Sequence, residues 1–176
     1  MKKAAEVNSL GGRLEIFNED LRRVREFLPV GEFDVVTMNP PYKAEGAGIV
    51  SADGAAAMAR HGLCCSLDDM CSAAAWLLKF GGKFCVCLRP ERLCELMCKM
   101  NAAGIEPKRL RTVSKRDGFA PWLVLVEGRR GGKPGMTVEP QLNIYDGDGY
   151  SEYMKSLYSD YERERENNDR ERKKTD

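Results

Sequence analysis

Phe33-Asp34-Val35-Val36-Thr37-Met38-Asn39-Pro40-Pro41-Tyr42 is an apolar run that breaks on an amide and two prolines. The β-branched Val35, Val36 and Thr37 favour extended backbone. Proline has no N–H for a ladder and drives the residue before it out of the helical region, so the strand has to stop at Asn39 and Pro40. An apolar run bounded by turn residues reads as a fully buried strand, and polar residues at its end suit the ligand edge of an α/β sheet.

Working outward, Leu14-Glu15-Ile16-Phe17, ending at Asn18-Glu19-Asp20, reads as a second buried strand. Downstream, Ser66-Leu67-Asp68-Asp69 has a capping-box-like pattern. It opens a helix with Leu67, Met70, Cys71, Ala74, Leu77 and Leu78 on one face, ended by Gly81-Gly82. Lys83 to Leu88 is the next strand, and Glu91 to Ala103 the next helix, with Leu93, Leu96, Met97 and Met100 inward and Gly104 as its left-handed cap. Arg109 to Val113 and Trp122 to Glu127 form a further strand pair across the polar segment Ser114 to Gly118. This alternation implies a mostly parallel α/β sheet. Lys43 to Leu63, rich in Ala and Gly, is long for a connection, which marks it as a functional loop. Arg129 to Gly135 reads as a loop, Val138 to Tyr145 as a short extended piece, and Glu162 to Asp176 as a charged tail.

The chain has 176 residues, with 28 Lys+Arg against 27 Asp+Glu and a formal charge of +1. Near-neutrality argues against a general polyanion binder, since affinity for phosphate backbones comes from clustered cations, though local patches survive this test. No stretch approaches the roughly 20 apolar residues needed to span a bilayer, and Glu6 and Asn8 interrupt any signal-like start, so a cytoplasmic protein without membrane contact is expected. Seven cysteines sit mostly inside apolar runs, and none is spaced as a C-x-x-C knuckle. They read as reduced core thiols with no metal. Trp76 and Trp122 lie in apolar runs and read as core.

The chemistry concentrates at the strand end. The Asn39 side-chain oxygen and the Pro40 carbonyl can both accept hydrogen bonds from one planar amino group, with Pro41 fixing the turn. Such a nitrogen is a poor nucleophile because its lone pair is delocalised, and two acceptors help it rehybridise toward the attacking form. Tyr42 can stack on a flat substrate. The arrangement suits methylation of an exocyclic or amide nitrogen; the bland reading is a rigid Pro-Pro turn.

Here the sequence resembles a known family: the N-P-P-Y amino-methyltransferases, and within them the bacterial adenine-N(6) methyltransferases that modify valine tRNA next to the anticodon. The resemblance rests on Phe33 to Tyr42, Ala59-Arg60-His61, Leu77 to Gly82, Arg89-Pro90-Glu91-Arg92-Leu93, Glu106 to Arg111 and Leu125 to Gly135, in that order. It covers about residues 1–158, leaving 159–176 as a charged tail. Gly62 stands where an acidic residue commonly follows the Arg-His pair, and Gln141 where a second proline is usual.

The resemblance implies a Rossmann-like class I methyltransferase sheet, S-adenosylmethionine as cofactor and tRNA as partner. It implies Asn39, Pro40, Pro41 and Tyr42 as the catalytic set, and Asp20, Leu21 and Asn39 beside the cofactor. Lys43, Arg60, His61, Arg129, Arg130 and Lys133 would contact substrate. Lys108, Arg109, Arg111, Lys115 and Arg116 add a second basic stretch that suits either phosphates or plain solvent. Family members begin with a strand and a Gly-rich turn that hold the cofactor, whereas Lys2 to Leu10 resembles the tail of a later helix. The expectation is therefore an N-terminally truncated sheet that self-associates or pairs with the missing segment and binds the cofactor weakly alone. The competing functions are a protein glutamine-N methyltransferase, because an amide offers the same flat nitrogen, and a non-catalytic RNA-binding remnant.

Overall fold

The computed structural model describes residue 3 and residues 12–40 and 65–159. Its centre is a mixed sheet in which β1 (Phe33–Met38), β2 (Leu78–Leu88), β3 (Ile105–Ser114) and β4 (Leu123–Arg130) stand in the order β1-β2-β4-β3. β1 and β2 are parallel, and β4 runs antiparallel to both its neighbours. β3 therefore points the same way as β1 and β2, with β4 as the reversed strand between them. Two short strands, β5 (Thr137–Val138) and β6 (Leu142–Asn143), pair parallel with β3, and β7 (Tyr145–Asp146) and β8 (Gly149–Tyr150) make a separate hairpin.

A 3₁₀ turn at Leu21–Arg23 runs into the short helix α1 (Val24–Phe27). Helix α2 (Leu67–Leu77) starts as expected, since the Ser66 hydroxyl accepts from the Asp69 N–H at 3.1 Å and the Asp69 carboxylate accepts from the Ser66 N–H at 3.0 Å. It stops at Leu77, earlier than Gly81-Gly82, because Leu78 turns extended to pair with Phe33 and bury its side chain. Helix α3 (Leu93–Ala102) follows a 3₁₀ turn at Pro90–Arg92 and closes at Gly104, whose φ of +72° explains the glycine. A last helix, α4, spans 152–159.

The core lies between α2, α3 and one face of the sheet. Phe84, Val86 and Leu88 of β2 alternate inward, joined by Val124, Val126 and Ile105, and they meet Leu67, Cys71, Ala74, Leu96 and Met100 from the helices. Each fully buried side chain of this size stabilises by about 1.5–3 kcal/mol. Gly128 is where Met100 and Ile105 press closest: a Cβ there would sit 2.1 Å from Met100 Cε and 2.7 Å from Ile105 Cγ2. The opposite face carries Cys85, Leu125, Glu127, Arg109 and Arg111, with the Arg111 guanidinium 4.4 Å from the Tyr153 ring centroid of α4.

Several expectations are corrected. Leu14 to Phe17 forms no strand: it pairs with no described strand, and Phe17 stacks on Phe27 at 5.4 Å. β1 is a strand as expected but not a buried one, because it is hydrogen-bonded on one side only among the described residues and Val35 is 50 % exposed. β4 extends through Arg130, so the loop begins later than Arg129. Trp122 is exposed, and Trp76 is half-buried with its indole N–H donating to the Leu28 carbonyl at 3.0 Å. Cys94 and Cys98 lie on the outer face of α3, whereas Cys71 is fully buried. Among the described residues no three His, Cys, Asp or Glu side chains come together as metal ligands, and no helix is long and apolar enough to cross a membrane. The Lys43 to Leu63 loop and the Glu162 to Asp176 tail fall outside the described residues.

Candidate functional site

The parallel strands end, in the chain direction, at Met38 of β1 and Leu88 of β2. Ligands of open α/β sheets sit at this carboxyl edge. At that edge Asn39 is exposed and Pro40 is buried. Pro41, Tyr42, Lys43, Arg60 and His61 lie outside the described residues.

The 3₁₀ turn joins this edge. Leu21 packs against the same buried clusters as Val36 and Met38, and Cys65 and Asp69 at the start of α2 act electrostatically on the Arg22 guanidinium. Asp20 caps the turn, accepting from the Arg22 backbone N–H at 2.9 Å and, through both oxygens, from the Arg22 guanidinium. Those hydrogen bonds, more than simple charge, hold its carboxyl down to about 2. Asp20 is therefore a fixed anion at neutral pH. Arg22, which locks it, has no motif signature; its signal is the i, i+2 spacing from an N-cap aspartate.

Asp20 and Asn39 give this edge an ionised acceptor and a neutral amide, a donor set that fits the polar rim of an adenosyl group. At the N-terminus of α2 the Ser66–Asp69 box takes up the Ser66 and Asp69 N–H groups. Asp20 and Asn39 thus fit the nucleoside end of S-adenosylmethionine.

The basic residues divide between two edges. Lys115 and Arg116 follow β3 and share the edge of Asn39, in a loop fixed by the fully buried Ser114, whose hydroxyl lies 2.9 Å from the Arg116 carbonyl and 2.8 Å from that of Phe119. Phe119 and Trp122, both exposed, stand on that edge too, and sequence reasoning missed them because Trp122 borders an apolar strand. Arg129 and Arg130 end the reversed strand β4. Arg129 pairs with Lys83 and Lys83 with Val35, while Met38 pairs with Val86, so both arginines lie at the edge opposite Asn39. Lys133 follows them, its carbonyl accepting from Lys108 Nζ at 3.0 Å. Arg109 is spent on Glu127 and Glu139.

No family model matches the chain, and no curated protein matches it. Solved structures do. A predicted O-methyltransferase from Agrobacterium tumefaciens is 19 % identical, with a TM-score of 0.70 over 89 % of this chain and 69 % of that one. A putative DNA modification methylase from Thermus thermophilus gives 15 % identity and a TM-score of 0.45 over 66 % of this chain and 54 % of its own length. The same methylase in complex with S-adenosyl-L-methionine gives 18 % and 0.45 over the same shares. The likeness to the Agrobacterium structure shows that this chain has a Rossmann-like α/β fold, as the resemblance implied.

Proposed function

We propose that this chain is an S-adenosylmethionine-dependent methyltransferase acting on the exocyclic amino group of adenine in tRNA. The observation that carries the reading is the position of Asn39-Pro40 at the carboxyl end of a parallel strand, with Asn39 exposed and Pro40 buried. Asn39 Oδ1 and the Pro40 carbonyl accept from the two N–H bonds of the substrate amino group. They draw its lone pair out of conjugation and aim it toward the cofactor. The cofactor, when bound, supplies an electrophilic methyl group. The acidic edge at Asp20 takes polar groups of the nucleoside portion, and its ionised state at neutral pH keeps it an acceptor. Lys115 and Arg116, on the same edge and without an ion pair among the described residues, favour a phosphate-bearing substrate over a protein glutamine. Arg129, Arg130 and Lys133 extend the RNA contact to the far edge.

Asn39→Ala should lower methyl transfer to unmodified tRNA by roughly a hundredfold, as for a lost transition-state hydrogen bond, and change cofactor affinity by no more than about threefold. Mass spectrometry of digested tRNA reads the N(6)-methyladenosine formed. An unchanged rate sinks the role of Asn39.

A further inference from the structure

The most exposed large apolar side chain described is neither at the Asn39 edge nor in any motif assigned above: it is Phe80, 85 % exposed. β2 puts it there by a bulge. Between the pairs Phe33–Leu78 and Val35–Lys83, β1 advances two residues and β2 advances five. The extra chain bulges out at Lys79 to Gly82, where Gly81 has a φ of +80° and a Cβ on Gly82 would fall 2.9 Å from the Lys79 carbonyl. One edge of the ring lies against Gly131, where a Cβ would fall 2.1 Å from Phe80 Cε2.

Cations without a carboxylate partner among the described residues share this edge of the sheet. Arg22, Arg23, Lys99 and Arg109 each find a carboxylate, and Lys79 beside Phe80 pairs with Asp34 at 2.8 Å. Lys108, Arg129, Arg130 and Lys133 make no ion pair among the described residues, and Glu106, opposite Arg129 in the ladder, bridges to none of them. The Arg130 guanidinium donates to the Leu78 carbonyl and also lines a cavity of about 440 Å³ with Arg25, Asp68, Ser72 and Trp76. A flat apolar face on an edge that carries cations without ion pairs among the described residues matches an unstacked base flanked by phosphates.

We propose that Phe80, with Lys108, Arg129 and Lys133, forms a second RNA contact on the edge opposite Asn39, where a base of a single-stranded segment stacks on the Phe80 ring. This rests on the reading of RNA as substrate. From the level of Val35 to Asn39 the strand advances about 13 Å, so one RNA molecule can meet both edges. The contact recognises an unpaired loop and is indifferent to the identity of the base, because every base has a π-face.

The test is equilibrium binding of a short fluorescein-labelled single-stranded RNA, and of the same strand annealed to its complement, to the full chain without cofactor. Phe80→Ala should weaken single-strand binding roughly tenfold and duplex binding by less than about twofold. Phe80→Trp should keep the affinity, and its added emission should be quenched by RNA. Arg129→Gln with Lys133→Gln should flatten the log–log salt slope of single-strand binding by about 1.4. Because the ring is exposed, these variants should unfold at the wild-type temperature. Failure of the wild type to bind RNA would overturn both this contact and the RNA substrate. Binding with Phe80→Ala equal to wild type would overturn this contact alone, as would an equal loss on single strand and duplex.

Discussion

Gly128→Ala tests the packing that holds the sheet to its helices. The new Cβ would be 2.1 Å from Met100 Cε and 2.7 Å from Ile105 Cγ2, where carbon pairs rest at about 3.5–4.0 Å. Both neighbours are fully buried. Met100 can rotate its terminal methyl, but Ile105 is branched at Cβ and has few rotamers to choose from. Alanine regains about 0.5–1 kcal/mol of the backbone entropy that glycine loses in a strand, which overpacking of about 1–3 kcal/mol exceeds. The net expectation is a loss of about 1–2 kcal/mol, or roughly 2–8 °C in unfolding temperature. Urea denaturation of a double-mutant cycle with Met100→Ala isolates the cause. That background removes the closest atom and leaves a cavity, so Gly128→Ala should cost at least about 1 kcal/mol less in it. Equal costs in the two backgrounds, or no loss in the wild type, would refute this packing.

Gly131→Ala meets the same 2.1 Å approach with a different outcome, because the exposed Phe80 ring swings away; its φ of +66° leaves about 1 kcal/mol of strain, undiminished in a Phe80→Ala background by thermal unfolding. The Asp20 carboxyl should titrate in NMR with a midpoint of about 2, returning toward 3.8 in Arg22→Ala. Its folded pKa lies below the unfolded one, so the stabilisation it lends is complete above about pH 4 and is lost as pH falls through 2. A disulfide-exchange reagent should modify Cys94 and Cys98 in the native protein, while Cys71, whose thiol burial pushes up to about 12, should react only on unfolding.

What is legible in the sequence is what short-range chemistry decides. Ser66 with Asp69, Gly104 after α3 and the alternation from Lys83 to Leu88 each depend on a few neighbouring residues, and each is readable. Leu14 to Phe17 misleads because an apolar tetrapeptide is a strand only beside a partner, and its aromatic finds Phe27 instead. The exposure of β1 and the reversal of β4 depend on pairings far apart in the chain, and with them goes the edge on which Arg129 stands. The outward direction of Cys94 and Cys98 is available: each lies two residues from Leu96 or Met100, about half a turn around the helix. At the candidate site the end of β1 before Asn39-Pro40 is plain from the prolines, whereas the Phe80 bulge, set by register, leaves no local mark.

The one-sided pairing of β1 has a consequence for the order in which the molecule opens. β3 and β4 close over a short loop, and β4 docks on β2, so these three strands protect one another from both sides. Among the described residues β1 is tied only to β2, across partners 45 to 48 residues apart in the chain, and it carries the smaller share of buried side chains. Native-state amide exchange should therefore find the N–H groups of Val35 to Met38 released by a partial opening that leaves β2, β4 and β3 intact. The strand that presents Asn39 is the first to leave the ladder, and a ligand bound across its end should slow that exchange more than any other.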